Sequence, residues 1–175
     1  MYKVKKTEEG YLGLFATDTI KKGTVILWLA KDSTYVPHPT RTSIQVRNLH
    51  LEHYEGGCTN HSCNPNAKIL SIMWGLDMKA HYVPFAAFGE NSTLNPILMA
   101  NKNIFAGEEI TFDYETTETE MAEPFKCNCH GRWISGNDVT TKSPSEIMQE
   151  DLEPISDWEN EGGMDYSGAF ESDIE

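Results

Sequence analysis

The chain has 175 residues, 39% of them apolar. That suffices for one ordinary core, since domains commonly hold roughly 100 to 200 residues, and the four cysteines are too few for a disulfide scaffold. The net charge of −13 is concentrated at one end: residues 143–175 carry eleven acids and no base, leaving sixteen acids against fourteen bases in residues 1–142, so apart from Lys3-Val4-Lys5-Lys6 there is no basic stripe of the kind that direct nucleic-acid binding requires.

The N-terminus runs straight into polar sequence without the apolar core of a signal peptide, and no apolar run nears the roughly 18 to 20 residues that span a bilayer. These features predict a soluble chain of a reducing, intracellular compartment, cytoplasmic or nuclear, with no membrane partner. Along the chain, short runs punctuated by Gly, Pro, Asn and Asp show little helical periodicity, so the fold class expected is mainly β, built from several small sheets. Gly13 to Ala16 and Gly23 to Ala30 flank the turn-like Ile20-Lys21-Lys22-Gly23 and read as two strands. Ile44 and Val46, then Leu49 and Leu51, alternate with polar residues on either side of Arg47-Asn48 and predict a hairpin. Lys68 to Trp74, Lys79 to Phe88 and Ile97 to Asn101 supply further strands, with residues 89–96 as a loop. Ile104 to Tyr114 reads as a glycine turn leading into an alternating strand that ends on a tyrosine.

The style changes near residue 143. Ser143-Pro144-Ser145-Glu146 has an N-cap serine, a proline at the first helical position and a glutamate three residues after the cap. Ile147, Met148 and Leu152 give the following turns an apolar stripe, so a short helix is expected over 143–154. Residues 155–175 are acidic and poor in apolar side chains; they cannot offset a backbone entropy of roughly 1 to 2 kcal/mol per residue and are expected to be disordered.

Two clusters stand out chemically. Thr59-Asn60-His61-Ser62-Cys63-Asn64-Pro65-Asn66 packs amide, imidazole, hydroxyl and thiol groups into eight residues that cannot form a regular helix, and reads either as a binding loop or as a capped turn. Cys127-Asn128-Cys129 either chelate a metal with help from Cys63 or Cys58, or are idle thiols.

Taken together and in order, these segments resemble the SET domain of protein lysine methyltransferases. Gly10-Tyr11-Leu12-Gly13-Leu14-Phe15-Ala16 is similar to the family's first cofactor segment, GxGxFA, with one change of spacing. Asn60 to Asn66 matches NHSCxPN. Gly107-Glu108-Glu109-Ile110-Thr111-Phe112-Asp113-Tyr114 matches GEExTxDY, and Phe125-Lys126-Cys127-Asn128-Cys129 resembles the start of the post-SET segment. The resemblance divides the chain into a SET domain over 1–123, a post-SET-like segment over 124–142, the short helix over 143–154 and the acidic tail over 155–175.

The resemblance implies a β-clip-like fold of small twisted sheets with a pseudoknot-like threading that brings the NHSC and DY segments together. It implies that Tyr11 and Leu12, with Asn60 and His61, hold S-adenosylmethionine. Tyr114 would be the catalytic tyrosine beside a narrow channel for the substrate lysine, and Phe112 the channel residue that sets how many methyl groups are added, a phenylalanine leaving room for two or three. It further implies a zinc site using Cys63, Cys127 and Cys129. The family's CxCx4C run is incomplete here, so a fourth ligand would come from His130 or Cys58. The segment Glu55-Gly56-Gly57-Cys58 before NHSC also departs from the usual Asn and Arg.

The function implied is transfer of methyl groups from S-adenosylmethionine to a lysine of a histone or another protein; the other reading is a catalytically silent SET-like module that binds a peptide. Positioning two reactants contributes up to roughly 7 to 11 kcal/mol. A lysine of pKa about 10.4 must also be neutral to attack, which a dry channel beside a cationic sulfonium favours.

Overall fold

The structure is a computed structural model that describes residues 1–46, 48–74, 80–83 and 95–136. The expected helix over 143–154, the acidic tail and most of the loop over 89–96 lie outside the described residues.

Strands β1 (Tyr2–Lys6) and β2 (Leu12–Ala16) form an antiparallel hairpin with Val4 opposite Leu14. The basic Lys3-Val4-Lys5-Lys6 is therefore part of a strand, with its three lysines outward and Tyr2 and Val4 packed against the core. Lysines on an edge strand discourage pairing with another chain. Strand β3 (Val25–Trp28) follows, then β4 (Thr34–Val36), β5 (Ile44–Val46) and β6 (Leu49–Glu52). The expected hairpin is present, since Val46 faces Leu49 and Ile44 faces Leu51.

Its inside and outside differ from simple alternation. Gln45 and His50 are buried while Leu49 is 41% exposed, because this sheet packs on both faces and Gln45 finds polar partners from a distant segment. A helical turn, α1 (Tyr54–Gly57), leads into the two-residue β7 (Asn60–His61), then β8 (Ala67–Trp74), β9 (Ala80–Val83), β10 (Pro96–Ala100) and β11 (Glu109–Phe112). A small hairpin of β12 (Phe125–Lys126) and β13 (Trp133–Ile134) closes the described chain.

Among the described residues these strands make four sheets: β1-β2-β11-β7, β3-β10-β8-β9, β4-β6-β5 and β12-β13. One contiguous core joins the first three, with Leu14, Leu98, Ile110 and Leu51 wholly buried. Each such side chain contributes about 1.5 to 3 kcal/mol on burial.

Two relationships position the site. Strand β7 pairs in parallel with β11, Asn60 opposite Thr111 and His61 opposite Phe112, so two segments distant in sequence run side by side. Asn66 fixes the same junction: its Nδ2 donates to the Glu109 carbonyl at 2.8 Å and its Oδ1 accepts from the Thr111 N–H at 2.9 Å. One side-chain amide thus satisfies β11 as a neighbouring strand would. Gly107, in the turn that leads into β11, has φ of +92°, in the left-handed region that glycine adopts without penalty.

Candidate active site

The strand expected to end on Tyr114 ends two residues earlier, at Phe112. Asp113 caps a 3-10 turn over Tyr114–Thr116, accepting the Glu115 N–H at 3.1 Å. Phe112 and Tyr114 therefore do not share a strand face. The turn still brings their rings to 4.9 Å between centroids, so the pair is adjacent for a different reason than strand periodicity.

Tyr114 is held at both ends. Its N–H donates to His61 Nδ1 at 3.3 Å and its hydroxyl donates to the Thr59 carbonyl at 3.0 Å. Burial, reinforced by Glu118, Glu109 and Cys58, raises the phenol above its ordinary pKa. Tyr114 is thus a neutral phenol whose hydrogen is already committed to a carbonyl, and its oxygen lone pairs are free to accept.

A small, partly open cavity of about 20 Å³ lies against this residue, lined among others by Phe112, Tyr114, Thr59, Gly57 and Glu118. That is room for one water-sized group. The wall at Gly57 cannot carry a side chain, because a Cβ there would meet the Thr42 carbonyl oxygen at 2.6 Å. The absence of the usual residue before the NHSC segment is thereby tied to close packing of α1 on the loop before β5.

Beyond the β2 edge, Tyr11 and Leu12 are exposed, at 60% and 46%. Asn60 joins them to the centre: its Nδ2 donates to the Leu12 carbonyl at 3.0 Å and to Glu109 Oε1 at 2.7 Å. An apolar ledge beside a fixed amide and the half-buried Phe125 suits a ligand with an aromatic base at one end and polar groups at the other. The His61 side chain, by contrast, is 2% exposed and turned inward, so only its backbone is available to such a ligand. Burial lowers its pKa, with Asp113, 3.5 Å from Nδ1, acting in the other direction.

His61 Nε2 points instead at Cys63 Sγ, 3.2 Å away. Cys63 Sγ is in turn 3.8 Å from Cys127 Sγ, and the ligand atoms of His61, Cys63, Cys127 and Cys129 all lie within 4.8 Å of one another. Sulfurs bound to one tetrahedral zinc at about 2.3 Å sit about 3.8 Å apart, so this N1S3 donor set fits zinc. The cluster takes in His61 rather than His130 or Cys58. Where the family pattern has its third post-SET cysteine this chain has Ile134, which is wholly buried on β13 opposite Phe125.

Backbone N–H groups, first that of His130 and then those of Arg132 and Cys129, lower the Cys127 pKa toward the thiolate a metal requires. Arg132 also bonds Glu115 at 2.6 Å, tying this segment to the 3-10 turn.

The positions expected from the sequence are thus brought together in three groups. Asn60, Tyr11 and Leu12 lie along one junction, while Tyr114 and Phe112 line a cavity and His61 joins the cysteines. Thr59 and Asn66 belong to the loop that stands out in the sequence but carry no assigned role there, and Glu118 does not stand out at all. Thr59 acts through its backbone, which leaves no trace in residue type. Glu118 sits in Thr-Thr-Glu-Thr-Glu, which reads as a solvated polar turn.

The SET domain family model matches residues 11–115. No curated protein sequence matches the chain. Among solved structures, a candidate histone methyltransferase of Plasmodium falciparum is similar at 24% identity and a TM-score of 0.45, over 65% of this chain and 96% of that one. KRYPTONITE, in complex with methylated CHH DNA, a histone H3(1-15) peptide and S-adenosylhomocysteine (SAH), is similar at 15% identity and a TM-score of 0.52, over 75% of this chain and 29% of its own. A second KRYPTONITE complex, with methylated CHG DNA and SAH, gives 16% identity and 0.48, over 73% and 27%. The chain thus spans less than a third of KRYPTONITE, and that likeness establishes the fold.

Proposed function

The chain belongs to the SET-domain family, and from that membership we propose that it is a protein-lysine N-methyltransferase that uses S-adenosylmethionine. The observation that carries the reading is the buried Tyr114 hydroxyl, donated to the Thr59 carbonyl at the wall of a narrow cavity and one hydrogen bond from the strand that presents Asn60 and His61. A module that only bound peptide would have no use for a phenol enclosed in this way. KRYPTONITE's complex with SAH and an H3 peptide supports a cofactor of this type and a histone tail or similar lysine-bearing segment as substrate.

S-adenosylmethionine, when bound, supplies an activated methyl group. The residues of this chain do the rest. Asn60, fixed by Leu12 and Glu109, keeps the Tyr11–Leu12 edge in register for the cofactor. The cavity is narrow, about 20 Å³, and partial burial in it disfavours the charged form of an entering amine. The Tyr114 oxygen accepts an N–H of that amine and so aims its lone pair. Phe112, buried at the same wall, puts no hydroxyl or bound water beside the nitrogen, which favours di- or trimethyl products.

His61, Cys63, Cys127 and Cys129 would hold zinc in a structural role, locking the β12–β13 hairpin against the NHSC loop; His61 would then carry its ring proton on Nδ1, facing Asp113, in place of the bond accepted there from the Tyr114 N–H. KRYPTONITE's complexes also contain DNA; for this chain the near balance of charge in residues 1–142 favours a protein substrate without direct nucleic-acid contact. No helix among the described residues is long and apolar enough to cross a membrane, and an intracellular site, nuclear or cytoplasmic, fits a histone or similar target. Incubation with labelled S-adenosylmethionine and a panel of histones and cellular proteins, followed by mass spectrometry, tests the reading.

A further inference from the structure

Glu118 is 4% exposed, the one buried carboxylate among the described residues. Its backbone N–H continues the 3-10 turn by donating to the Tyr114 carbonyl at 2.8 Å. Oε1 accepts from the Gln45 N–H at 2.8 Å and from the Thr117 hydroxyl at 3.0 Å. Oε2 has no donor among the described residues. The nearest cationic candidate, His50 on β6, has Nδ1 at 3.9 Å, beyond hydrogen-bond reach. Burial lowers the pKa of that imidazole, against the pull of Glu120, and its Nδ1 is itself without a hydrogen-bond partner among the described residues.

Oε2 is not sealed from the cavity, and a carboxylate otherwise so largely buried disfavours its charge unless a cation compensates for it. Nothing in the fold requires a carboxylate here, because an amide would accept the Gln45 and Thr117 bonds equally well. The side chain lines the same cavity as Tyr114 and Phe112. The other groups facing it are the neutral His50 of β6, the neutral Tyr114 phenol and, at the cavity rim, Arg41 from the loop before β5. A lysine entering that cavity brings the ammonium that the unpaired oxygen lacks. Tyr114 cannot take the proton that such an ammonium must lose, since it is a neutral phenol.

We propose that Glu118 is a catalytic residue that receives the substrate ammonium in the lysine cavity and accepts its proton before methyl transfer. The ammonium N–H proton passes to Glu118 Oε2, leaving a neutral amine. The amine lone pair then forms the N–C bond to the methyl group as the C–S bond breaks, its electron pair remaining on the sulfur of the thioether product. The carboxyl proton returns to solvent when the methylated lysine withdraws. This rests on the methyltransferase reading and goes beyond it.

The test is the pH profile of kcat/KM for wild type and Glu118→Gln on one lysine peptide, with a second measurement on the wild type alone. Wild type should rise with pH through about 7 and level off. Glu118→Gln, which keeps the acceptor for Gln45, should be at least 10-fold slower at pH 7.5 and keep rising beyond pH 9. In the second measurement, wild type saturated with S-adenosylhomocysteine should bind the lysine peptide over its norleucine counterpart with a preference that grows several-fold from pH 5.5 to 8. A variant within twofold of wild type with the same profile, or a lysine preference that is flat with pH, overturns the role of Glu118 while leaving the function standing. A wild type that methylates no lysine overturns both.

Discussion

Tyr114 donates its phenolic hydrogen to the carbonyl of Thr59, 3.0 Å away and 55 residues earlier in the chain. The bond joins the segment that precedes β7 to the turn that follows β11, which are also the two segments joined by the His61–Phe112 register. It leaves the phenol oxygen as an acceptor at a narrow cavity, so its contribution is to orient rather than to remove a proton.

Asn60→Ala removes both bonds that tie the NHSC segment to Leu12 and Glu109. Buried polar groups left without partners cost about 1 to 3 kcal/mol, a factor of roughly five to a hundred and fifty in affinity. Calorimetry should find S-adenosylmethionine binding weakened in that range, with peptide affinity changed less. Unchanged cofactor affinity would place the cofactor elsewhere.

Phe112→Tyr places a hydroxyl at the wall of a cavity of about 20 Å³. The first transfer should be affected little, whereas later ones need the nitrogen to turn in the space the hydroxyl takes. Intact-mass analysis of one peptide under excess cofactor should show wild type reaching two or three methyl groups and the variant accumulating the monomethyl product. A wild type that stops at one, or an unchanged product ratio, rejects the role of Phe112.

The purified protein should carry about one zinc per chain. His61→Ala should lower zinc affinity, and His61→Cys should restore it by supplying a thiolate in place of the imidazole. Metal analysis and the absorption of a cobalt-substituted sample read this directly, independently of activity. A His61→Ala protein that retains full zinc occupancy would exclude His61 as a ligand.

Burial raises the Glu118 carboxyl from 4.5 to about 7. The folded state therefore holds this proton more tightly than the unfolded chain, and the associated stability, complete below about pH 4.5, is lost as pH rises through about 7. Relative to Glu118→Gln, which does not titrate, wild type should lose about 3 kcal/mol of stability between pH 4.5 and 8. Chemical unfolding of both proteins at the two pH values measures it; a constant difference would mean that Glu118 is not titrating in this range.

Much of the site was legible in the sequence because its side chains are unusual for the turns they occupy. Asn60, His61 and Cys63 crowd one short loop, and Tyr114 follows a glycine-led strand; the structure brings these segments side by side. The strand pattern of β2, β5, β6, β8 and β10 was legible from alternation and turn residues. Strand β1 was not, because three lysines obscure Tyr2 and Val4, whose apolar faces matter only once β2 pairs with them. The 3-10 turn at Tyr114 depends on the Asp113 cap, a local competition between side chain and strand that periodicity does not register. His61 as a neighbour of the cysteines and Glu118 as a buried acid both depend on contacts across more than fifty residues, with Cys127 in one case and Gln45 in the other. No pattern within either segment encodes them.

The most direct test of the account is methyl transfer by wild type and Tyr114→Phe in parallel, on the peptide that wild type modifies best from a panel of histones and cellular proteins. Removal of the hydroxyl deprives the Thr59 carbonyl of its donor, a loss of about 1 kcal/mol in stability that leaves the fold intact. It also removes the group that aims the amine, for which a fall on the order of 100-fold or more in kcat is expected. The account predicts labelled lysine from wild type, little or none from Tyr114→Phe, and equal S-adenosylmethionine affinity in both. Wild-type turnover in the Tyr114→Phe protein would contradict it.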